Sequence, residues 1–228
     1  MKQVLNAVIA FLLLLATTSA YSQGNSSKVS NGQVKQIISK WSAKPKEVAN
    51  AMIAKYGNPN EATANLLIWY NNGPWKKTIL YKEEVPHDFP KAHTDLLQQF
   101  IDYKTPVDKF DDLAQYDGSV IVERTKGEIS ARCDKEEMNF LALNLANDVA
   151  TGNKTVEEAR AYYAKAAMAF MKGQKDPYTT GLKFTVAHGG TADPDMPAAG
   201  MAMIPHGQPG HVCGPDCPMM KEKMKSNR

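Results

Sequence analysis

The sequence predicts an α+β fold, in which an antiparallel four-stranded sheet made of two β-hairpins has helices on one face. Two β-rich segments each contain a glycine turn, and segments with helical periodicity lie before, between and after them. Hairpins without long crossovers favour antiparallel pairing with the helices gathered on one side. Because an isolated hairpin is only marginally stable, we expect the two hairpins to join in one sheet.

The first 22 residues are typical of a secretory signal peptide. Lys2 provides a positive start, Ala7 to Ala16 is an unbroken apolar run of ten residues, and small residues follow it. An uncleaved anchor is disfavoured because ten residues are too few to cross about 30 Å of hydrocarbon. We expect cleavage after Ser22 or after Ala20, and a soluble protein that is periplasmic or secreted.

Residues 23–185 are predicted to form the globular domain, which starts with two helices and a hairpin. Apolar residues at i, i+3, i+4 and i+7 define the first helix, namely Val34, Ile37, Ile38 and Trp41. The second helix begins near Pro45, which a first helical turn tolerates, and ends at Gly57. The hairpin covers residues 65–82, and an Asn-Gly pair supplies the positive φ angles of its turn.

Two further helices are predicted between the hairpins. A cluster of apolar residues indicates the longer one, namely Leu96, Leu97, Phe100 and Ile101. Thr94 or Asp95 is expected to cap its amino end, since both residue types satisfy free backbone N–H groups there. A shorter helix is expected over residues 107–114.

The second hairpin is predicted over residues 120–133, with its turn at Lys126-Gly127. Cys133 alternates with its apolar residues and is expected to be a buried, inert thiol. Asp134 and Glu137 resemble a capping box that opens a long helix. A last helix follows and ends before Gly173.

Four side chains suited to metal binding or acid–base chemistry lie within nine positions of one another. They are His87, Asp88, His93 and Asp95. Imidazole and carboxylate groups could ligate a metal ion or exchange a proton. Pro86 and Pro90 indicate that the segment is a loop, and its spacing is not that of a known site, so ordinary solvated loop residues are the favoured interpretation.

Residues 186–228 are predicted to form a flexible tail. These 43 residues contain six Gly, six Pro and no aromatic residue, so they cannot bury enough apolar surface to offset the entropy lost on ordering. They nevertheless hold three of the five His, two of the three Cys and six of the eleven Met. Imidazole, thiolate and thioether groups suit copper or zinc, so we expect the tail to bind one of these ions.

The predicted ligands of the tail lie in the segment PHGQPGHVCGPDCPMM. They are His206, His211, Cys213, Cys217, Met219 and Met220. Two alternatives stay open. One is a local disulfide between the two cysteines, which an oxidising compartment permits, and the other is a tail without a role in binding.

The predicted function is that of an exported, non-enzymatic protein that binds copper or zinc through its tail. A net charge of +3 gives no electrostatic indication of nucleic-acid binding. The sequence contains no nucleophile elbow, phosphate-binding glycine loop or zinc-protease helix. One alternative is an interaction module that holds another envelope protein and uses the tail as a tether, and another is an enzyme centred on residues 87–95.

Overall fold

The computed structural model describes residues 27–198, in which groups of helices and groups of strands follow one another along the chain. The described part contains five α-helices: Asn31–Ile38 (α1), Ala43–Tyr56 (α2), Phe110–Tyr116 (α3), Glu136–Ala150 (α4) and Val156–Met171 (α5). It also contains six strands: Glu61–Ala62 (β1), Leu66–Asn72 (β2), Trp75–His87 (β3), His93–Asp102 (β4), Ile121–Glu123 (β5) and Glu128–Cys133 (β6). None of these helices is long and apolar enough to cross a membrane.

The six strands form one antiparallel sheet in the order β1-β2-β3-β4-β6-β5. The predicted α+β class and antiparallel sheet are confirmed, but the predicted number of four strands is wrong. The main difference is β4, which occupies the segment around Leu96 and Ile101 that was expected to be helical. Paired apolar residues four positions apart fit a helix, but they also fit a central strand that is buried on both faces. Thr94 and Asp95 belong to this strand and cap no helix.

One face of the sheet carries the core. Leu67, Leu80, Leu97 and Cys133 oppose one another across β2, β3, β4 and β6, and all four are buried. Helices α1 and α2 pack over the β2 and β3 end of this face, and α4 and α5 pack over the β4 and β6 end. The opposite face is buried at Leu96 and Ser130 and half-buried at Phe100. Side chains that share a face with Leu97 therefore point towards the helices.

Helix α4 begins at Glu136, one residue after the position that the predicted capping box requires. Lys135 is its N-cap residue and makes no side-chain capping bond, so the prediction of a box between Asp134 and Glu137 is wrong. Asp134 instead lies 2.8 Å from the ammonium group of Lys135. The buried carboxylate at the start of α4 is that of Glu136. It accepts hydrogen bonds from side chains of α2, β3 and β4.

The chain divides into two units, and the first ends at Asp193. This boundary lies beyond residue 186, where the tail was expected to start. Thr191 is buried, and its hydroxyl donates a 2.8 Å hydrogen bond to the carbonyl oxygen of Gly127. Arg124 pairs with Asp193 over 3.1 Å. At least part of the segment expected to be a tail therefore packs on the domain. The second unit begins at Pro194, and residues 194–198 contain no helix or strand.

Several sequence-based predictions concern residues 1–26 and 199–228, which lie outside the described residues. They include the signal peptide over residues 1–22 and the ligands expected in the tail. Those ligands are His206, His211, Cys213, Cys217, Met219 and Met220. They stay predictions.

Candidate metal centre

Strands β3 and β4 bring three of the four residues singled out between positions 87 and 95 to one place. His87 is the last residue of β3 and pairs with His93, the first residue of β4, and Val85 pairs with Asp95. Directly opposed residues, and residues two apart on one strand, lie on the same face of a sheet. His87, His93 and Asp95 therefore share the face of Leu97 and point towards the helices.

The expectation of a continuous loop over this segment is wrong, because strand pairing continues past Pro86, which lies opposite Thr94. Only residues 88–92 connect the two strands. Asp88 lies in this connection, is exposed, and does not belong to the group formed by the two histidines and Asp95. Sequence proximity identified the correct segment, but strand register determines which of its side chains meet.

Asp95 lies between the two imidazole rings. One of its carboxylate oxygens is 3.2 Å from Nδ1 of His87, and the other is 3.2 Å from Nε2 of His93. One donor atom from each of the three residues lies within 4.8 Å of the other two. The residue Asp95 is only 3% exposed, and the two ring centroids are 4.9 Å apart. The three groups thus form a compact, largely buried cluster of two nitrogen donors and one oxygen donor.

The inner atoms of this cluster make ion-pair contacts of 3.2 Å but no well-aligned hydrogen bond to a described residue. Nδ1 of His87, Nε2 of His93 and Oδ1 of Asp95 are all buried, and their close approaches lack hydrogen-bond alignment. Each of these buried atoms has an ionic neighbour, but poor alignment leaves its hydrogen-bonding capacity only partly used, so the cluster could accommodate a better-aligned partner. A cation that all three atoms ligate together would be such a partner.

The outer nitrogens of both rings face oxygen atoms. Nδ1 of His93 lies 2.7 Å from the carbonyl oxygen of Lys91, and because a carbonyl only accepts, Nδ1 is the protonated nitrogen. Nε2 of His87 lies 3.8 Å from Oδ1 of Asp117. Metal-binding histidines commonly turn their second nitrogen to a carbonyl or a carboxylate in this way, which orients the ring and raises its basicity.

Asp117 is held in place from the other side by Ser119. Its Oδ1 atom accepts hydrogen bonds from both the backbone N–H and the hydroxyl of Ser119, each over 2.8 Å. Burial raises the pKa of Asp117, while the two bonds from Ser119 and the nearby His87 oppose that effect. The side chain is fixed beside the outer edge of the His87 ring.

The electrostatics of the cluster favour positive charge next to Asp95. The Asp95 carboxylate raises the pKa of His93 to about 11, the contact with the Cys133 thiol adds to this effect, and burial opposes it. The site therefore stabilises a cation at the inner edge of this ring, and a metal ion would take the place of the proton.

Cys133 is the last residue of β6, on the same face as Asp95, and in side-chain contact with His93. It is 4% exposed, so its predicted burial is confirmed. Its surroundings are more polar than expected, since Sγ also lies 3.8 Å from Oδ1 of Asp134. Burial raises the pKa of the thiol, and the neighbouring His93 opposes this.

A pocket of 390 Å³ reaches the cluster from the surface. His93 and Cys133 lie in its wall, together with apolar side chains of α4 and α5 such as Met138 and Phe170. Neither His87 nor Asp95 belongs to its wall, so the pocket borders the cluster at His93 alone. His93 and Cys133 therefore lie at the accessible edge of the cluster, while Asp95 lies deeper.

The fold and the cluster define an α+β protein with a candidate site of two imidazoles and one carboxylate. Comparisons of the chain with protein-family models, with curated proteins and with solved structures find no match. The residues that sequence reasoning missed are Asp117 and the Lys91 carbonyl, together with the role of Cys133 as a neighbour of His93. Alternation along β6 could have placed Cys133 on the helix-covered face, but only strand order brings it to this site.

Proposed function

We propose that the protein binds a zinc or copper ion in its folded domain, through His87, His93 and Asp95. The observation that carries the proposal is the convergence of one donor atom from each of these residues within 4.8 Å. In the same place Nδ1 of His87, Nε2 of His93 and Oδ1 of Asp95 are buried without a well-aligned hydrogen bond. The outer contacts of both rings support it, because they leave Nδ1 of His87 and Nε2 of His93 facing inwards.

The donor set determines the kind of ion. Magnesium and calcium prefer shells made of oxygen atoms, whereas imidazole nitrogen suits zinc, copper, iron and nickel. Two nitrogens and one carboxylate are also the usual protein ligands of many zinc sites. We therefore expect strong discrimination against magnesium and calcium.

The tail is proposed as a second binding region of an exported protein. This part of the proposal rests on composition alone, since six of the eleven methionines and two of the three cysteines occur in residues 186–228, a segment rich in Gly and Pro and without aromatic residues. The two regions differ in chemistry. The domain cluster offers nitrogen and oxygen, and the tail adds several sulfur atoms, which suit copper(I).

Equilibrium titration of the mature full-length protein with Zn²⁺, in competition with a chelator of known affinity, tests the domain site. We expect Asp95→Asn and His93→Ala each to remove one equivalent of tightly bound zinc. Asp88→Asn is the matched control, because this carboxylate lies in the same hairpin connection but outside the cluster, and it should leave the titration unchanged. If zinc stoichiometry and affinity are the same in all three variants as in the unmodified protein, the domain site is wrong.

A further inference from the structure

We infer that the thiolate of Cys133 is the fourth ligand of the proposed site, which then closes around the ion as a four-coordinate centre of two histidines, one aspartate and one cysteine. This inference rests on the proposed function, since it requires that His87, His93 and Asp95 bind the ion.

Strand register places the sulfur on the correct side of the sheet. Cys133 pairs with Leu97, and Asp95 lies two residues before Leu97 on β4, so all three side chains point towards the helices. The thiol lies beside His93 in the wall of one pocket, and Nε2 of His93 faces Asp95. Its sulfur is outside the group of three donors that lie within 4.8 Å of one another, so the side chain has to move inwards to complete the centre. Strand β6 ends at Cys133, beside the part of β4 that precedes Leu97 and carries the cluster.

Charge balance favours a fourth, anionic ligand. A divalent ion held by two neutral imidazoles and one carboxylate retains one positive charge, and burying an unbalanced charge is costly. A thiolate makes the centre neutral. Asp134, the other acid next to Cys133, already pairs with Lys135 and Lys44 over 2.8 Å and 3.5 Å.

The pocket borders the proposed fourth ligand. His93 and Cys133 lie in its wall, so an ion that arrives through the pocket meets these two donors at the accessible edge of the cluster. A coordinated thiol is deprotonated by the metal, whatever its pKa in the free protein. The sulfur would also direct the site towards zinc and copper and away from manganese.

Cobalt(II) substitution tests the inference, because a thiolate bound to Co²⁺ gives an intense near-ultraviolet charge-transfer band. The protein used is the full chain carrying Cys213→Ser and Cys217→Ser, in which Cys133 is the one remaining thiol of the three. In a thiol-free reducing buffer, we expect this band to saturate at one equivalent of Co²⁺, together with the visible bands of tetrahedral cobalt.

Adding Cys133→Ser to this protein should abolish the charge-transfer band and weaken Co²⁺ binding by at least about tenfold. Cys133→Ala is a second variant for the same purpose, and near-ultraviolet circular dichroism checks that both variants fold. The band should be retained in the background that carries Asp88→Asn.

Two results would overturn the inference, and they are distinguishable. In the first, Co²⁺ binds, Asp95→Asn abolishes the binding, and no charge-transfer band appears. Cys133 is then not a ligand, and the proposed three-residue site stands. If Co²⁺ and Zn²⁺ show no binding that depends on Asp95, both the fourth ligand and the proposed function are wrong.

Discussion

Trp75 donates a 2.6 Å hydrogen bond from its indole Nε1 to the buried Oε1 atom of Glu136, and so joins the β2–β3 hairpin to the first turn of α4. The same oxygen accepts bonds from the Tyr56 hydroxyl over 2.6 Å and from Gln99 over 3.0 Å. Lys55 pairs with the other oxygen. One carboxylate therefore connects α2, β3, β4 and α4.

Replacing Glu136 should destabilise the domain strongly. Glu136→Ala leaves several buried or half-buried donors without their acceptor, and we expect a loss of about 3–5 kcal/mol in the free energy of unfolding. Glu136→Gln retains one carbonyl acceptor and should cost about 1–3 kcal/mol. Urea unfolding measures both. Glu137→Ala is the matched control, since this next residue is exposed and should change stability by no more than about 0.5 kcal/mol.

The contribution of Glu136 should also depend on pH. Burial by itself raises the pKa of Glu136, but its hydrogen bonds to the four donors named above outweigh burial and hold the pKa below the ordinary value of 4.5. A carboxyl group whose pKa is lowered by folding stabilises the protein above its unfolded pKa and loses that effect as the pH falls through the folded pKa. The stability difference between the unmodified protein and Glu136→Gln should therefore be full near neutral pH and shrink below pH 4.5. Unfolding curves across this range test it, and a difference that does not change with pH would contradict it.

Gly127 should not tolerate a side chain. Its φ angle is +64°, and a Cβ atom there would overlap the backbone carbonyl of Thr191. Gly152 has a similar φ of +75° but open space around it, so Gly152→Ala reports the cost of the backbone conformation alone. We expect Gly127→Ala to cost about 1–3 kcal/mol more than Gly152→Ala in urea unfolding, because a packed backbone segment must shift. Equal costs would show that residues 186–193 move aside freely.

Removing the outer carboxylate should weaken the proposed site without removing a ligand. Asp117→Asn preserves the shape of the side chain but not its charge next to Nε2 of His87, and we expect zinc affinity to fall about 10–100-fold. The chelator competition experiment measures the change. Asp112→Asn is a suitable control, because this acid pairs with Lys109 at the surface over 2.8 Å, away from the cluster. Unchanged zinc affinity in Asp117→Asn would mean that His87 is oriented by packing alone.

Local patterns in the sequence predicted those parts of the fold that depend on neighbouring residues. Both hairpin turns and the burial of Cys133 follow from glycine positions and from alternation. The prediction of a helix around Leu96 was wrong because this segment is a strand buried on both faces. Such a strand lacks the alternation of polar and apolar residues that identifies a strand in the sequence. A capping box occurs at α5, between Thr155 and Glu158. The box predicted between Asp134 and Glu137 does not form, and Asp134 pairs with Lys135 instead.

The candidate site was only partly predictable for the same reason. His87, His93 and Asp95 are close in sequence, and their residue types suggested chemistry. Whether they meet depends on the pairing of β3 with β4 beyond Pro86. Proline disfavours strand pairing locally because it lacks a backbone donor, but the pairing continues in this long hairpin. Asp117 comes from a distant segment, so no local pattern connects it to His87.

The position of the donors along the chain has a consequence for the order of assembly. His87, His93 and Asp95 come together as soon as one five-residue connection closes, which is a local event with a small entropic cost. Cys133 reaches them only when β6 docks, nearly forty residues later in the chain. If the ion binds as proposed and Cys133 closes the centre, three of the four ligands would come from a single hairpin, and the sulfur would complete the site only when β6 docks.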